Sequence, residues 1–399
     1  MSLLHLSTPH ERLALLRKTA RPFRDRAAEH DDKNSFPFDN IADLRAIDYP
    51  AIVLPKSHGG LDISLVELLK MQQTLAEMDG STALAIGWHM GITQNLGQTD
   101  EWSPELFEEF ASDVLTNGAL INNAASEPAT GSPTRGGKPE TTATKTENSW
   151  IINGRKTFTT LSPVLNYFVV SASITGSDRV ANFLVKREYS GLSIDETWNS
   201  VAMRATGSHD LVLDHVSLPE NAYLYDLEPG KKSPRGWLLH IPAVYHGISI
   251  AAFDYALNFA NTYAPNSIAS GTIAQFPAVQ QKLGAMRLNI LQNDHFLYGV
   301  ARKWDESDQE TRESLGDELA AVKVAVVENA LEIVDLAMRL VGARSLQANN
   351  PLQRYYRDVR AGLHNPPMED AVLISLAKSA LNSHRDNRLN HPKGDHYVI

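Results

Sequence analysis

Residues 150–160 read WIINGRKTFTT, and this stretch decides the fold class. An Asn-Gly pair between two extended runs is typical of a two-residue hairpin turn, because both residues tolerate a positive φ. Asn153 and Gly154 therefore predict a β-hairpin. Threonine-rich and apolar runs on both sides extend it into a β domain of about residues 118–228. Its further strand candidates are residues 140–146, 167–174, 181–185 and 211–218, the last closed by Pro219.

Helical patterns flank this β domain on both sides. A capping-box pair in residues 64–67 predicts a helix start, and the apolar run 82–96 predicts a helix buried on most sides. After the β domain, apolar residues recur at helical spacing over residues 279–297 and 319–340. The order predicts an α+β fold with three domains: helical 1–117, β 118–228 and a C-terminal helical bundle 229–399.

The composition restricts the partners of this chain. Its 399 residues carry a formal net charge of −10, which argues against nucleic acid as the main partner. The absence of cysteine excludes disulfides and thiolate metal sites. The sequence also contains no HExxH-type spacing that would predict a metal site. No run approaches the ~18 apolar residues of a membrane span. We therefore expect a soluble, cytoplasmic protein that acts on small molecules.

Four sequence strings, taken in order, carry a family resemblance. They are SEPATGS at 126–132, INGRKTFTT at 152–160, MRATGSHDLVLDHVSLP at 203–219 and LVGARSLQANNPLQRYYRD at 340–358. With these strings the chain resembles the acyl-CoA dehydrogenase family over roughly residues 10 to 380. This resemblance implies a barrel- or sandwich-like middle β domain, a C-terminal four-helix bundle, and a flavin held in the cleft between the two.

The resemblance also implies a set of flavin contacts. Phe158 matches the aromatic position against the flavin ring, and Thr160 matches the position near flavin N5. Without the family context, the same residues would read as a Ser/Thr-rich strand with solvated hydroxyls. The matching residues are Asn123, Ala125, Ser126, Gly131, Ser132, Phe158 and Thr160.

The chain departs from the family at the catalytic base. The family's usual glutamate follows the YRD-type string by eight residues, and that position here is Pro366, which cannot abstract a proton. Some members carry the glutamate on the first helix of the C-terminal domain, and His240 matches that position. An imidazole is a credible general base at neutral pH. His364 and Glu369, near the expected turn, are the other candidates, although Glu369 also suits a helix cap.

A second departure resembles the monooxygenase branch of the same superfamily. The string LHNP at 363–366 and GWHMG around His89 are similar to members that take up a reduced flavin and react it with oxygen. His89, Thr160 and His364 would be the matching residues. Each histidine also has a structural interpretation: His89 in a buried helix and His364 in a turn.

The resemblance leaves the identity of the flavin open. The family's phosphate-binding arginine and glutamine are replaced by Asn266 and Pro277, so we expect FAD, with FMN possible. We expect a homo-oligomer, a dimer or tetramer, whose interface includes the 274–300 helix or the 340–350 loop. The predicted reaction is α,β-dehydrogenation of an acyl-CoA. The alternatives are a monooxygenase supplied by a flavin reductase, or an inactive homologue that binds flavin or a thioester.

Overall fold

The structure is a computed structural model that describes residues 1–130, 137–227 and 233–390. The described N-terminal part is helical up to the first strand. Ser64 Oγ accepts the Glu67 N–H at 3.2 Å, as the capping pattern predicts, but the Glu67 carboxylate pairs with Arg12 at 2.6 Å instead of closing the box. The helices are α1 Pro9–Ala20, α2 Phe23–Lys33, α3 Phe38–Arg45, α4 Leu65–Ala76, α5 Gly80–Gln98 and α6 Pro104–Asn117.

Eight strands in the described chain form one mixed sheet in the order β6-β7-β3-β2-β4-β5-β8, and β1 pairs in parallel with β4. All eight residues of β4 are buried, which explains why its bounds match the predicted run 167–174. The strands are β1 Ile121–Ala124, β2 Thr142–Lys145, β3 Ser149–Thr159, β4 Tyr167–Ile174, β5 Val180–Lys186, β6 Leu192–Asp195, β7 His209–Pro219 and β8 Tyr223–Asp226.

The predicted hairpin turn at Asn153-Gly154 is wrong. Both residues lie inside β3, where Asn153 pairs with Thr142 of β2, and the chain reverses earlier, between Thr146 and Ser149. Gly154 is needed for a different reason: a Cβ there would lie 2.7 Å from the Thr141 Cα. Asn153 Oδ1 accepts the His215 N–H at 2.7 Å beside a register shift in the β3–β7 pairing. The pair therefore marks a bulge with close strand approach, not a turn.

Long helices return after the sheet and confirm the α+β class. Helix α10 packs against α7, α8, α11 and α12 as the centre of the C-terminal bundle. It ends where predicted, at Gly342, whose φ is 72° and whose N–H donates to the Met338 carbonyl. The described helices are α7 His240–Thr262, α8 Pro277–Glu306, α9 Gln309–Ser314, α10 Gly316–Val341, α11 Pro351–Ala361 and α12 Glu369–Asn390.

One segment in the described residues, Gly236–Thr262, is long and apolar enough to cross a membrane by length and composition. However, 83% of its most apolar window is buried inside the protein, as in the core helix of a globular fold. The strands all fall within the predicted range 118–228, and the exact domain limits stay a prediction.

Candidate flavin site

Phe158 stands on a bulge at the end of β3. Pairing with β7 is regular from Gly154 to Lys156, then shifts register before Thr159 meets His209. Phe158 has a φ of 55°, and 66% of it is exposed; its described ring contact is edge-on with Trp198 at 5.9 Å. A left-handed conformation costs a non-glycine residue about 1–2 kcal/mol. An exposed aromatic ring held in such a conformation indicates a ligand surface.

Two hydrogen bonds join the end of β3 and the residue after it to β1 and the segment that follows β1. The Thr157 N–H donates to the Ser126 carbonyl at 2.8 Å, and Asn122 Nδ2 donates to the Thr160 carbonyl at 2.9 Å. Ser126 and Thr160, which lie 34 positions apart in sequence, are therefore close to each other and to Phe158, where β1 and β3 end. Among the described residues the Ser126 hydroxyl has no hydrogen-bond partner, so it is free to donate to a ligand.

A chain of three hydroxyls fixes the hydrogen-bonding role of Thr160. Thr160 Oγ lies 2.9 Å from Ser208 Oγ, Ser208 Oγ lies 2.8 Å from Thr206 Oγ, and the Thr206 hydroxyl donates to the Met203 carbonyl at 3.0 Å. A hydroxyl has one hydrogen, and the chain ends on an acceptor that cannot donate. All three hydrogens therefore point towards Met203. Thr160 consequently offers lone pairs, not a hydrogen, to whatever lies against it.

A buried ion pair anchors both strings that carry the resemblance. Lys156 Nζ lies 2.6 Å from Glu127 Oε1, and the two side chains are 0% and 1% exposed. Glu127 also accepts the backbone N–H groups of Glu140 and Thr141 at 2.6 and 3.0 Å. Burial alone would raise the pKa of Glu127, but the hydrogen bonds from Lys156 and Thr141 outweigh it and lower the pKa to about 2. The carboxylate is therefore charged at neutral pH.

Asn123 and Ala125 lie on the same segment as Ser126 and are half-buried. Asn123 faces a space of about 20 Å³, room for about one water, which Arg235, Trp237 and Tyr225 also line. Gly131 and Ser132, the other predicted flavin contacts, lie outside the described residues.

His240 lies apart from the flavin-side residues, between α5 and α7. It is fully buried, its Nδ1–H donates to the Trp237 carbonyl at 3.0 Å, and burial lowers its pKa to about 4. Its ring stacks on Trp237 at 5.8 Å and meets the edge of Trp88 at 5.1 Å. Within the described chain His240 Nε2, Trp237 Nε1 and Gln72 Oε1 have no hydrogen-bond partner.

Glycines on α5 allow this close packing against α7. A Cβ at Gly87 would lie 2.5 Å from the His240 ring, and one at Gly91 would lie 2.4 Å from the Trp237 ring. The space between the two helices is therefore filled by aromatic side chains. His240 is a neutral imidazole with a free lone pair, but it is closed to solvent.

His89 is also fully buried, and both of its ring nitrogens are engaged. Its Nε2 donates to the Pro50 carbonyl at 3.1 Å, and its Nδ1 accepts the Ile121 N–H at 3.2 Å. Burial lowers its pKa to about 4. These contacts support the structural interpretation: His89 holds the first residue of β1, the strand that leads to Ser126.

The turn after α11 carries the remaining candidates. His364 is exposed, with its N–H on the Ala361 carbonyl at 3.0 Å, and the next residue, Asn365, accepts the Tyr245 hydroxyl. Pro366 follows at the position expected for a glutamate. Glu369 begins α12, where a carboxylate favours the positive end of the helix dipole.

The fold and these strings have counterparts in known proteins. Models of the acyl-CoA dehydrogenase N-terminal, middle and C-terminal domains match residues 11–101, 122–216 and 240–363. The protein named "Putative acyl-CoA dehydrogenase YdbM" of Bacillus subtilis (strain 168) is 51% identical over 92% of this chain and 95% of its own. The chain belongs to the acyl-CoA dehydrogenase family. This family of flavoprotein oxidoreductases is the one that the sequence strings predicted.

Other proteins match with lower identity. The amino sugar nitrososynthase RubN8 of Streptomyces rubradiris is 28% identical over 96% of this chain and 92% of its own. The FMN-bound structure of TdsC, a dibenzothiophene monooxygenase from Paenibacillus sp. A11-2, superposes with a TM-score of 0.83 at 21% identity. That match covers 93% of this chain and 97% of TdsC. FMN in TdsC agrees with the prediction of a flavin cofactor.

The sequence reasoning missed several residues of the candidate site. Asn122 and Ser208 act across 38 and 48 positions of sequence, so no local pattern marks them. Lys156 carries a signal that could have been used. It occupies an inward position of β3, and a buried lysine requires a carboxylate partner.

Proposed function

We propose that the protein is a flavin-dependent monooxygenase that takes up reduced FMN or FAD from a separate reductase and oxidises a small molecule. The observation that carries this proposal is the hydroxyl chain that leaves Thr160 as an acceptor. In the family, Thr160 matches the residue near flavin N5. That nitrogen bears a hydrogen only in the reduced flavin, so an acceptor there favours the reduced form.

The residues present fit a flavin ring. The exposed phenyl of Phe158 offers an apolar face, the free Ser126 hydroxyl offers a donor, and Thr160 offers an acceptor. All three lie where β1 and β3 end. When bound, the flavin supplies the redox chemistry. The protein supplies orientation through the Thr157–Ser126 and Asn122–Thr160 hydrogen bonds.

The positions of the candidate bases also support the monooxygenase proposal over acyl-CoA dehydrogenation. Removal of an α-proton requires a base within reach of the substrate. Pro366 replaces the usual glutamate, and His240, the alternative, is sealed between α5 and α7. His364 on the exposed turn is free to hold or move a proton in either reaction. The name of RubN8 and the FMN in TdsC point in the same direction.

Acyl-CoA dehydrogenation is the second candidate, because the relative at 51% identity carries that name. It predicts that the base is His364 or His240 and that the substrate is a CoA thioester.

One experiment separates the two functions. We expect the protein to bind reduced FMN or FAD at least about tenfold more tightly than the oxidised form, and to slow hydrogen peroxide release when reduced flavin meets oxygen. Ser208→Ala frees the Thr160 hydrogen and should erase the preference for reduced flavin, whereas Ser217→Ala on β7 should keep it. Anaerobic bleaching of the bound oxidised flavin by an acyl-CoA would contradict the proposal and support the second candidate.

A further inference from the structure

A cavity of about 830 Å³ lies away from the candidate flavin site. Helices α2, α7 and α11 and the 348–350 loop form its walls, and Val201 and Arg204 close one side. None of the described residues predicted to contact flavin lines it. Its volume lies within the range of about 300–1,000 Å³ that is typical of small-molecule sites.

Arg354 of α11 is the unusual residue of this cavity. It is 7% exposed, and within the described chain no carboxylate forms an ion pair with it; its guanidinium contacts Tyr355, with the ring centroid 5.5 Å away and the hydroxyl as a hydrogen-bond partner. The neighbouring Arg357 is held by Asp31 through two bonds of 3.0 and 2.5 Å. A guanidinium has five N–H donors, and the single Tyr355 hydroxyl does not satisfy them all. The remaining donors need an acceptor, which water or a ligand in the cavity can supply.

The buried carboxylate closest in sequence does not meet this requirement. Asp358, one helical turn along α11, accepts the Met203 N–H at 2.6 Å, and no carboxylate oxygen of the described residues lies within 4.0 Å of Arg354. Burial raises the pKa of Asp358 to about 7, so its charge is only partly present at neutral pH. The positive charge of Arg354 faces the cavity without a full counter-charge.

Other groups on the wall limit what the cavity can hold. Arg24 of α2 is exposed, and its described hydrogen bond is to the Glu77 carbonyl at 3.3 Å. The lining contains four arginines and four aspartates, so its total charge is close to zero and does not suit a polyanion. The amides of Asn258 and Asn349 add neutral polar groups.

We propose that this cavity is a second ligand site that binds a small organic anion, with one phosphate or carboxylate group seated on Arg354 and Arg24. Guanidinium groups recognise both anions through paired N–H donors. The neutral remainder of the ligand lies against the amide side of the cavity.

The test uses full-length, flavin-loaded protein with inorganic phosphate and acetate as separate probes at constant ionic strength. Isothermal titration calorimetry and the melting temperature both report binding, because a ligand of the folded state raises Tm. We expect millimolar binding of at least one probe. Phosphate binding alone identifies a phosphate ligand, and acetate binding alone identifies a carboxylate.

The variants assign this binding to the cavity. Arg354→Gln should weaken it about tenfold to a hundredfold, as expected for lost charged hydrogen bonds. If that variant does not fold, Arg24→Gln on the surface should weaken binding in the same direction. Arg339→Gln is the control, since Arg339 is exposed on α10 and paired with Asp335. The proposal is overturned if all variants bind equally or if neither probe binds. It is also overturned if Arg354→Gln changes only the oligomeric state.

Discussion

Lys156 Nζ lies 2.6 Å from Glu127 Oε1 with neither side chain in contact with solvent, so one ion pair ties β3 to the segment that follows β1. Both joined segments carry part of the candidate flavin site: Ser126 follows β1, and Phe158 and Thr160 lie at the end of β3. The pair therefore links the stability of the sheet to the geometry of the site.

Replacing Lys156 by methionine should lower the free energy of unfolding by about 3–5 kcal/mol, because the buried Glu127 carboxylate loses its partner. Urea unfolding followed by circular dichroism measures the loss. Lys138→Met is the matched control: Lys138 pairs with Asp178 on the surface, and such pairs contribute about 0–1 kcal/mol. Equal effects of the two substitutions would show that burial of the Lys156 pair has no energetic consequence.

Phe158→Gly should weaken flavin binding while changing the free energy of unfolding by less than about 1 kcal/mol. Glycine relieves the positive φ but loses more backbone entropy on folding, and the exposed phenyl gives up little burial. Flavin fluorescence titration and thermal unfolding of the apoprotein give the two numbers. Asp62→Gly, also exposed with a φ of 49°, should leave flavin affinity unchanged. Unchanged affinity in Phe158→Gly would remove Phe158 from the site.

His89 should make stability depend on pH in the mildly acidic range. Its folded pKa is about 4, against 6.5 unfolded, so the unfolded state binds the proton first. The stability that neutral His89 contributes is present above pH 6.5 and is lost as pH falls towards 4, by up to about 1.4 kcal/mol per pH unit. The difference in unfolding free energy between the wild type and His89→Gln, measured from pH 7 to 4, isolates this contribution. His10→Gln, at an exposed position, should show no such difference.

His364→Ala should lower turnover by about 10²–10⁴-fold with flavin binding retained, as for loss of a group that moves a proton. His240→Ala should instead leave a void beside Gly87 and act mainly on stability. Glu369→Ala, at the start of α12, tests the third candidate base. If His240→Ala alone abolishes anaerobic flavin reduction by an acyl-CoA, His240 is the base and the second candidate function applies.

Leu288→Glu should convert the predicted homo-oligomer to a monomer and weaken flavin binding. Helix α8 exposes Leu288 at 57% and Leu291 at 39%, and the 340–350 loop exposes Leu346 at 72%. Such apolar exposure indicates a protein contact surface. Sedimentation velocity at micromolar concentration gives the state of both proteins, and Leu381→Glu on α12 tests whether any exposed leucine has the same effect. A wild-type monomer that retains flavin would contradict the predicted assembly.

The sequence predicted the strand limits that depend only on the residues of the strand itself. The run 167–174 is mostly apolar and is buried on both faces, and Pro219 cannot extend a ladder, so these strand limits could be predicted from the sequence. The predicted turn at Asn153-Gly154 was wrong because the requirement for glycine comes from Thr141, which directly precedes the neighbouring strand β2. A dipeptide carries no information about what packs against it.

The candidate site was predictable only through the family resemblance. That resemblance named Ser126, Phe158 and Thr160, and the structure brings their backbones together. It could not give the direction of the Thr160 hydrogen bond, which depends on Ser208, 48 positions away. It also could not distinguish a sealed imidazole from an accessible one, as His240 and His364 show.

The glycines of α5 fix how closely this helix approaches the aromatic cluster around His240. Gly87 lies against the His240 ring and Gly91 against the Trp237 ring, so the rings of Trp88, Trp237 and His240 form the surface on which this part of α5 packs. A methyl group at either glycine would lie within 2.5 Å of one of these rings, so the ring or the helix would have to move. Substitutions that keep this packing are therefore expected among the aromatic side chains and not at the two glycines.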